Sequence, residues 1–276
     1  MAVRVLLPIM TYPDATPMVS LLRAADMAAT LRAHVTALVH EMDVPPINNP
    51  VADFLLDLKK EAAAAEELSR QKGEHLAQEL KLTCYRLAVP LVTETLRTQR
   101  PCGDMVAARA RTFDMTMLVC QPESPDHALL EQDVLFGSGG PVIVFPASDA
   151  PAHIETVAVA WDGSRAAARA IRDAIPLLRQ ASNIRLLTCS EDKPIGTTSI
   201  KGVMELLAAH EINAKHIAVA LKDRLVGEAL QESALELDAG LMVMGAYGHS
   251  RVREFILGGA TTSALTAPRL PLFMSH

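Results

Sequence analysis

The sequence has few aromatic residues and no excess of basic ones. Phe, Trp and Tyr make up 4% of its 276 residues, and the formal net charge at pH 7 is -6. Proteins that bind nucleic acids present basic patches and aromatic side chains on which bases stack. The composition therefore predicts that nucleic acid is not a partner.

Cysteine and long apolar runs are also scarce. The four cysteines are too few for a disulfide framework in a chain of this length, and Cys84, Cys120 and Cys189 fall in apolar, strand-like segments where a reduced thiol is expected.

The apolar run at 3–9 is too short for a signal peptide and lacks a basic segment and a cleavage site. No run approaches the length that crosses a bilayer. We therefore expect a cytoplasmic protein without a membrane segment.

What the sequence does contain is an alternation of apolar runs and amphipathic helical patterns. The predicted strands are 3–9, 35–40, 83–89, 115–120, 142–145, 156–161, 184–189, 216–221, 241–244 and 272–274. The predicted helices are 17–33, 51–80, 103–112, 127–135, 164–179, 198–210, 226–237 and 261–267. Alternating strands and helices predict right-handed crossovers and parallel sheets.

The order of predicted elements starts again after the polar, proline-bearing segment 147–153, which is typical of a linker. Half of the residues are hydrophobic, and the chain is long enough for two domains with cores of their own. We therefore predict two domains, residues 1–147 and residues 154–276.

An internal match supports this division. Residues 102–119 align without a gap to residues 226–243, at the same place in the order of strands and helices. A match of this quality indicates a repeat. The aligned pairs include Gly103 with Gly227, Asp104 with Glu228, Ala110 with Ala234, Asp114 with Asp238, Met117 with Leu241 and Val119 with Val243.

The most informative motif follows the predicted strand 241–244. Gly245 and Gly248 end the strand, and Gly258 and Gly259 open a helical pattern. Glycine lets backbone N–H groups approach a ligand closely, and a helix N-terminus offers N–H donors and a partial positive charge. This order is that of a phosphate-binding loop; a tight turn at the end of a strand is the alternative interpretation.

The first half of the chain lacks this loop. In the alignment, Gln121 stands at the position of Gly245 and Ser124 at the position of Gly248. One half therefore keeps the glycines and the other has lost them.

A second motif, Asp162-Gly163-Ser164, ends the predicted strand 156–161. Because open parallel sheets bind ligands at the carboxyl edge of their strands, Asp162 and Gly245 are expected at the same binding edge. The alternative is that Asp162 only closes the turn or caps the next helix.

Together these motifs resemble those of universal stress proteins, and the whole chain resembles the tandem form of that family. Nucleotide-binding members carry Gly-x2-Gly-x9-Gly followed by Ser or Thr. Here Gly245-x2-Gly248-x9-Gly258 is followed by Gly259, which leaves a backbone N–H but removes a hydroxyl. The family's first strand also ends in an Asp-Gly-Ser turn.

The resemblance implies an α/β fold: two tandem open parallel-sheet domains, Rossmann-like and adenine nucleotide alpha hydrolase-like, packed as a pseudo-dimer. Family dimers pair through edge strands, which here are the predicted strands 142–145 and 272–274, and unpaired edges favour such pairing. A further homodimer of the tandem chain stays open.

The resemblance also implies a stress-response protein whose second half binds an adenine nucleotide (ATP, ADP or AMP), with or without Mg²⁺. The implied binding residues are Asp162, Gly163, Ser164, Val219, Gly245, Gly248, Gly258, Gly259 and Thr261. In this interpretation Val219 lines the adenine pocket, and Thr261 substitutes for the hydroxyl missing at Gly259. Met10 occupies the aspartate position of the first half, which is therefore not expected to bind nucleotide.

Two alternatives remain beside a nucleotide sensor or regulatory module. One is a ligand-free scaffold that acts through protein partners. The other is a slow ATP hydrolase, which is disfavoured because no general base, P-loop lysine or Mg²⁺-binding pair stands near the loop. The nine histidines show no metal-ligand spacing, so no metal site and no catalytic residue is predicted.

Overall fold

In the computed structural model, the described residues are 2–44, 58–99, 103–191, 194–246 and 259–276. These residues form ten strands and eight helices. The strands are β1 (Arg4–Met10), β2 (His34–Met42), β3 (Leu91–Thr98), β4 (Met115–Cys120), β5 (Val142–Pro146), β6 (Thr156–Ala160), β7 (Asn183–Thr188), β8 (Ala214–Ala218), β9 (Leu241–Gly245) and β10 (Leu272–Ser275). The helices are α1 (Met18–Thr30), α2 (Leu58–Arg86), α3 (Gly103–Ala110), α4 (Pro125–Gly137), α5 (Arg165–Leu178), α6 (Thr197–Ala209), α7 (Val226–Glu236) and α8 (Gly259–Thr266).

All ten strands belong to one sheet, in the order β3-β2-β1-β4-β5-β10-β9-β6-β7-β8. The first five strands follow the order 3-2-1-4-5. The last five, numbered from β6 and read inward from the opposite edge of the sheet, follow the same order. Neighbouring strands are parallel within each set of five. The predicted α/β class is confirmed, with two parallel sets of five strands joined in one sheet, while the domain limits 1–147 and 154–276 stay a prediction.

The two sets of strands meet at one antiparallel pair, β5 and β10. Leu272 lies opposite Val144, and Met274 lies opposite Val142. All four side chains are fully buried. The two segments expected to join the halves, 142–145 and 272–274, are thus hydrogen-bonded strands in the centre of the sheet.

Each face of the sheet carries its own hydrophobic layer, because successive side chains of a strand point to opposite faces. On β1, Val5 and Leu7 belong to one buried cluster, whereas Leu6 belongs to the other. On β6, Val157 belongs to the first cluster and Ala158 to the second. Burial on both faces explains why the inner strands read as nearly continuous apolar runs.

The strand predicted at 83–89 is wrong. Helix α2 continues to Arg86, with Leu80 and Cys84 buried four residues apart on its inner side. The chain then turns at Ala88, which has a left-handed φ of 55°, and β3 begins at Leu91. Since β3 lies at the edge of the sheet and is largely exposed, its sequence is too polar to resemble the buried strands.

The aligned glycines of the internal match have the same packing role. A Cβ atom on Gly103 of α3 would lie 2.4 Å from a carboxylate oxygen of Asp133 on α4. A Cβ atom on Gly227 of α7 would lie 2.4 Å from Ser263 Oγ on α8. In each half, glycine therefore allows one helix to cross close to the next.

Three cysteines of the described residues, Cys84, Cys120 and Cys189, are buried and form no disulfide. Burial raises the pKa of the Cys84 thiol to about 11. None of the helices in the described part of the chain is both long and apolar enough to cross a membrane.

Candidate functional site

The two sequence motifs meet at the carboxyl edge of the second set of strands. β6 and β9 are parallel neighbours, with Val159 opposite Val243. Asp162 follows β6 and Gly245 ends β9, so both lie at the same edge, as predicted from the alternating pattern. Helix α5 begins directly after the Asp162 turn.

The Asp-Gly-Ser turn leads into α5 through two local hydrogen bonds. The backbone N–H of Ser164 donates to Oδ1 of Asp162 at 2.8 Å. The Oγ of Ser164, the N-cap residue, accepts from the N–H of Ala167 at 3.0 Å. Gly163 has a left-handed φ of 74°, which favours glycine. These contacts give Asp162 the turn-closing role considered above and hold its carboxylate beside the first turn of α5.

Gly245 lies against that same first turn. A Cβ atom at this position would be 2.4 Å from the backbone N of Ala167 and 2.6 Å from the carbonyl carbon of Ala166. Only glycine allows this approach of strand to helix. The N–H of Ala167 is bonded to Ser164 Oγ. Because the first N–H groups of a helix have no partner among its own carbonyls, the approach brings the end of β9 beside the N-terminal turn of α5.

Thr261 and Gly259 lie in the first turn of α8. The Oγ1–H of Thr261 donates to the carbonyl of Gly245 at 3.4 Å, so the structure brings these two predicted residues together. Among the described residues, a Cβ atom on Gly259 would meet no atom within 4 Å, and this part of the chain leaves room for a larger residue there. The N-termini of α5 and α8 both approach Gly245.

Val219 comes directly after β8 and is buried. Its N–H donates to the carbonyl of Thr188 at 2.8 Å, and its side chain belongs to the cluster that contains Ala160 and Met244. It is thus part of the apolar layer under this edge. The remaining two predicted loop residues, Gly248 and Gly258, lie outside the described residues.

Three neighbours of these motifs were not predicted. The indole N–H of Trp161 donates to Ser199 Oγ at 3.1 Å, which places the first turn of α6 beside Gly163. Ser275 lies opposite Gly245 in the parallel pair of β9 and β10. Nδ1–H of His276 donates to the carbonyl of Ala246 at 3.1 Å. Ser275 and His276 could not be predicted as neighbours, because their positions follow from the register of β10 against β9, which the sequence alone does not reveal.

At the corresponding edge of the first half, the residues in the motif positions form hydrogen bonds with other residues of that half. Met10 is 2% exposed, and its N–H donates to Thr16 Oγ1 at 2.9 Å. The side-chain Nε2–H of Gln121 donates to the carbonyl of Ala15 at 3.1 Å. The residues that replace the aspartate and the first loop glycine therefore pack against the segment that follows β1.

A buried group of hydroxyls reinforces this closure. The Oγ1–H of Thr11 donates to the carbonyl of His40 at 2.6 Å. Ser69 Oγ, from α2, lies 2.6 Å from Thr11 Oγ1 and accepts the N–H of Met42 at 2.9 Å. Helix α2 is thereby fastened over the carboxyl ends of β1 and β2.

Within the described residues, no group of three or more His, Cys, Asp or Glu side chains is arranged to hold a metal ion.

Comparison with solved structures places this fold. A universal stress protein from Archaeoglobus fulgidus DSM 4304 aligns over 99% of this chain and 97% of its own, with a TM-score of 0.70 and 16% identity. A putative universal stress protein from Pseudomonas aeruginosa UCBPP-PA14 aligns over 99% and 93%, with a TM-score of 0.59 and 15% identity. A functionally unknown protein from Pseudomonas aeruginosa PAO1 gives 99% and 92%, a TM-score of 0.59 and 14% identity.

No model of a protein family matches the sequence, and no curated protein matches it. At these identities the structural likeness concerns the fold. The chain has, over its full length, the fold of the universal stress protein structures it aligns with, and the resemblance inferred from the motifs is confirmed at that level.

Proposed function

We propose that this chain is a tandem universal stress protein that binds an adenine nucleotide in its second half and acts in the cytoplasm as a sensor or regulatory module. The observation that carries the proposal is the contact of Gly245 with the first turn of α5, beside the Asp162 turn. This contact brings the end of β9 beside both the Asp162 carboxylate and the N-terminal turn of α5, and it therefore supports a site that combines a carboxylate with backbone donors.

The proposed site combines three kinds of contact. The N-termini of α5 and α8 supply N–H donors and partial positive charge for phosphate groups. Asp162 supplies a carboxylate for the ribose hydroxyls, and the apolar layer that includes Val219 lies under the adenine. Gly248 and Gly258 are proposed to complete the phosphate loop. Mg²⁺, where present, would arrive bound to the nucleotide phosphates.

The first half has a different role in this proposal. Its edge is closed by Thr16, Gln121 and Ser69, as described above, so residues 1–147 serve as a structural partner for residues 154–276. One nucleotide per chain is therefore expected.

The direct test is calorimetric titration of nucleotide-stripped protein with ATP and AMP, with and without Mg²⁺. We expect a single site in the unmodified chain and a loss of at least about tenfold in affinity for Asp162→Asn, because hydrogen bonds to charged groups contribute about 1.5–3 kcal/mol. Asparagine can still close the turn, so this variant separates the turn from the ligand contact.

The matched control is Asp104→Asn, which removes one exposed carboxylate from the first turn of α3 and should leave the affinity unchanged. Equal affinity of Asp162→Asn and the unmodified chain would contradict the assignment of the ribose contact. Absence of both heat and thermal stabilisation by nucleotide in the unmodified chain would support the ligand-free scaffold instead.

Gly259→Ser is expected to tighten nucleotide binding about fivefold, since a neutral hydrogen bond contributes about 1 kcal/mol. A side chain at this position meets open space, and serine is the residue type that the family motif carries there. The same titration measures the effect.

Gly202→Ser is the control for this prediction, because Gly202 lies beyond the first turn of α6 and a Cβ atom there also meets no atom of the described residues within 4 Å. It should leave the affinity unchanged. Unchanged or weaker binding by Gly259→Ser would contradict a phosphate contact at the start of α8.

A further inference from the structure

Residues 275 and 276 hold the backbone at the point where β9 ends. Ala246 follows β9 and is fully buried. Its N–H donates to the carbonyl of Ser275 at 2.9 Å, and its carbonyl accepts the Nδ1–H of His276 at 3.1 Å. Both backbone polar groups of Ala246 are thus bonded to two consecutive residues.

This arrangement matters because Gly245, the residue before Ala246, has no room to move toward α5. Even a single Cβ atom on Gly245 would lie within 2.6 Å of the backbone of α5. A rotation of the peptide between Gly245 and Ala246 would alter the distance between the strand end and the helix N-terminus. The hydrogen bond from the N–H of Ala246 to Ser275 opposes that rotation. The hydrogen bond from His276 holds the carbonyl of Ala246, in the next peptide group, and so fixes the direction in which the chain leaves β9.

The imidazole of His276 is itself held by the first half of the chain. The ring of Phe136, on α4, contacts it edge to face, with 4.9 Å between ring centroids and 77° between ring planes. Aromatic pairs in this geometry are stabilising beyond the area they bury. The contact connects a helix of the first half to the backbone beside Gly245 through one side chain.

We propose that His276 is a positioning residue for the nucleotide site and that Phe136 makes this positioning depend on the first half of the chain. The inference rests on the proposed function. It assigns the first half a part in ligand binding at the second half, although its own edge is closed.

The experiment is calorimetric titration with AMP and ATP of His276→Ala, His276→Asn, Phe136→Ala and the double variant His276→Ala/Phe136→Ala. We expect His276→Ala to lower the affinity about fivefold. His276→Asn should restore most of the loss, because the amide Nδ2–H of asparagine occupies nearly the place of Nδ1–H. A role in packing alone would not be rescued by this smaller, non-aromatic side chain.

Phe136→Ala is expected to lower the affinity about twofold to threefold in the unmodified background and to have no further effect once His276 is alanine, since residues that act through each other are not additive. Leu129→Ala removes another exposed apolar side chain of α4 and should leave the affinity unchanged. Thermal unfolding of each variant verifies that it is folded.

The outcomes separate the two proposals. If the unmodified chain binds nucleotide and His276→Ala binds equally well, the inference is overturned and the proposed function stands. If His276→Ala binds weakly and His276→Asn is no better, the hydrogen bond to Ala246 is not the cause and the inference also fails. If the unmodified chain binds no nucleotide, both proposals fall.

Discussion

Replacing Gly245 by alanine is expected to destabilise the chain and to abolish nucleotide binding together. The new Cβ atom would lie 2.4 Å from a backbone nitrogen and 2.6 Å from a carbonyl carbon of α5. Backbone atoms cannot rotate away as a side chain can, so the strand or the helix must shift. Forced overpacking of this kind costs about 1–3 kcal/mol, and Gly245→Val should cost more.

Urea unfolding followed by circular dichroism measures the first effect, and calorimetric titration measures the second. Gly259→Ala is the matched control: it adds the same methyl group at the start of α8, where a Cβ atom meets open space. Its unfolding midpoint should stay near that of the unmodified chain. A Gly245→Ala protein with unchanged stability and unchanged affinity would show that the close approach of β9 to α5 is not needed.

The second large effect concerns a buried carboxyl group between the two halves. Glu131 lies on α4 and is 7% exposed; burial raises its pKa from 4.5 to about 7, while a hydrogen bond with Cys120 lowers it. The Sγ–H of Cys120 also lies 3.3 Å from the carbonyl of Leu265 on α8. Glu131 therefore titrates where the first half contacts the second.

The sign of the pH dependence follows from these pKa values. Below pH 4.5 the carboxyl is protonated in both the folded and the unfolded chain, and it causes no difference. Between pH 4.5 and about 7 the unfolded chain loses this proton and the folded chain keeps it, so the free energy of unfolding falls as pH rises. The total decrease in the free energy of unfolding is on the order of 3 kcal/mol. Above about pH 7 the titration of Glu131 causes no further decrease.

Glu131→Gln should remove this decline. Urea unfolding at pH 5, 6, 7 and 8 is expected to show a stability difference between the variant and the unmodified chain that grows in favour of the variant up to about pH 7. Glu123→Gln, which changes an exposed carboxylate before α4, should give a difference that does not vary with pH. Parallel profiles for Glu131→Gln and the unmodified chain would contradict a buried, titrating carboxyl.

Much of the fold follows from the sequence because burial makes the eight inner strands recognisable as apolar runs. The two edge strands are exposed: β8 overlaps the predicted strand 216–221 only in part, and β3, with polar residues such as Thr93 and Arg97, is not predicted at all. The end of α2 and the turn after it contain the buried Cys84 and Val89, and this apolar pattern predicts a strand at 83–89 that does not exist. A pattern of buried side chains identifies elements only where the structure buries them.

The candidate site also has one part that the sequence predicts and one part that it does not. Asp162 and Gly245 could be placed on one edge because parallel strands end together, and the structure has them beside the same helix. His276 and Phe136 could not be found, since their positions depend on the register of β10 and on the contact of α4 with the residue that follows β10. Local motifs identify the candidate loop, whereas the residues that contact the backbone before it come from distant parts of the sequence.

The antiparallel junction of β5 and β10 has a consequence for how the halves can diverge. Two separate five-stranded sheets would present four open borders, and the continuous sheet of the described residues presents two, β3 and β8. The apolar edge strands that contain Val144 and Leu272 pair with each other, and both side chains are buried. Met10 and Gln121 are not part of this pair of strands. Substitutions at these positions therefore leave the β5–β10 junction unchanged, so the two halves can differ in sequence at their other strand ends and stay joined in one sheet.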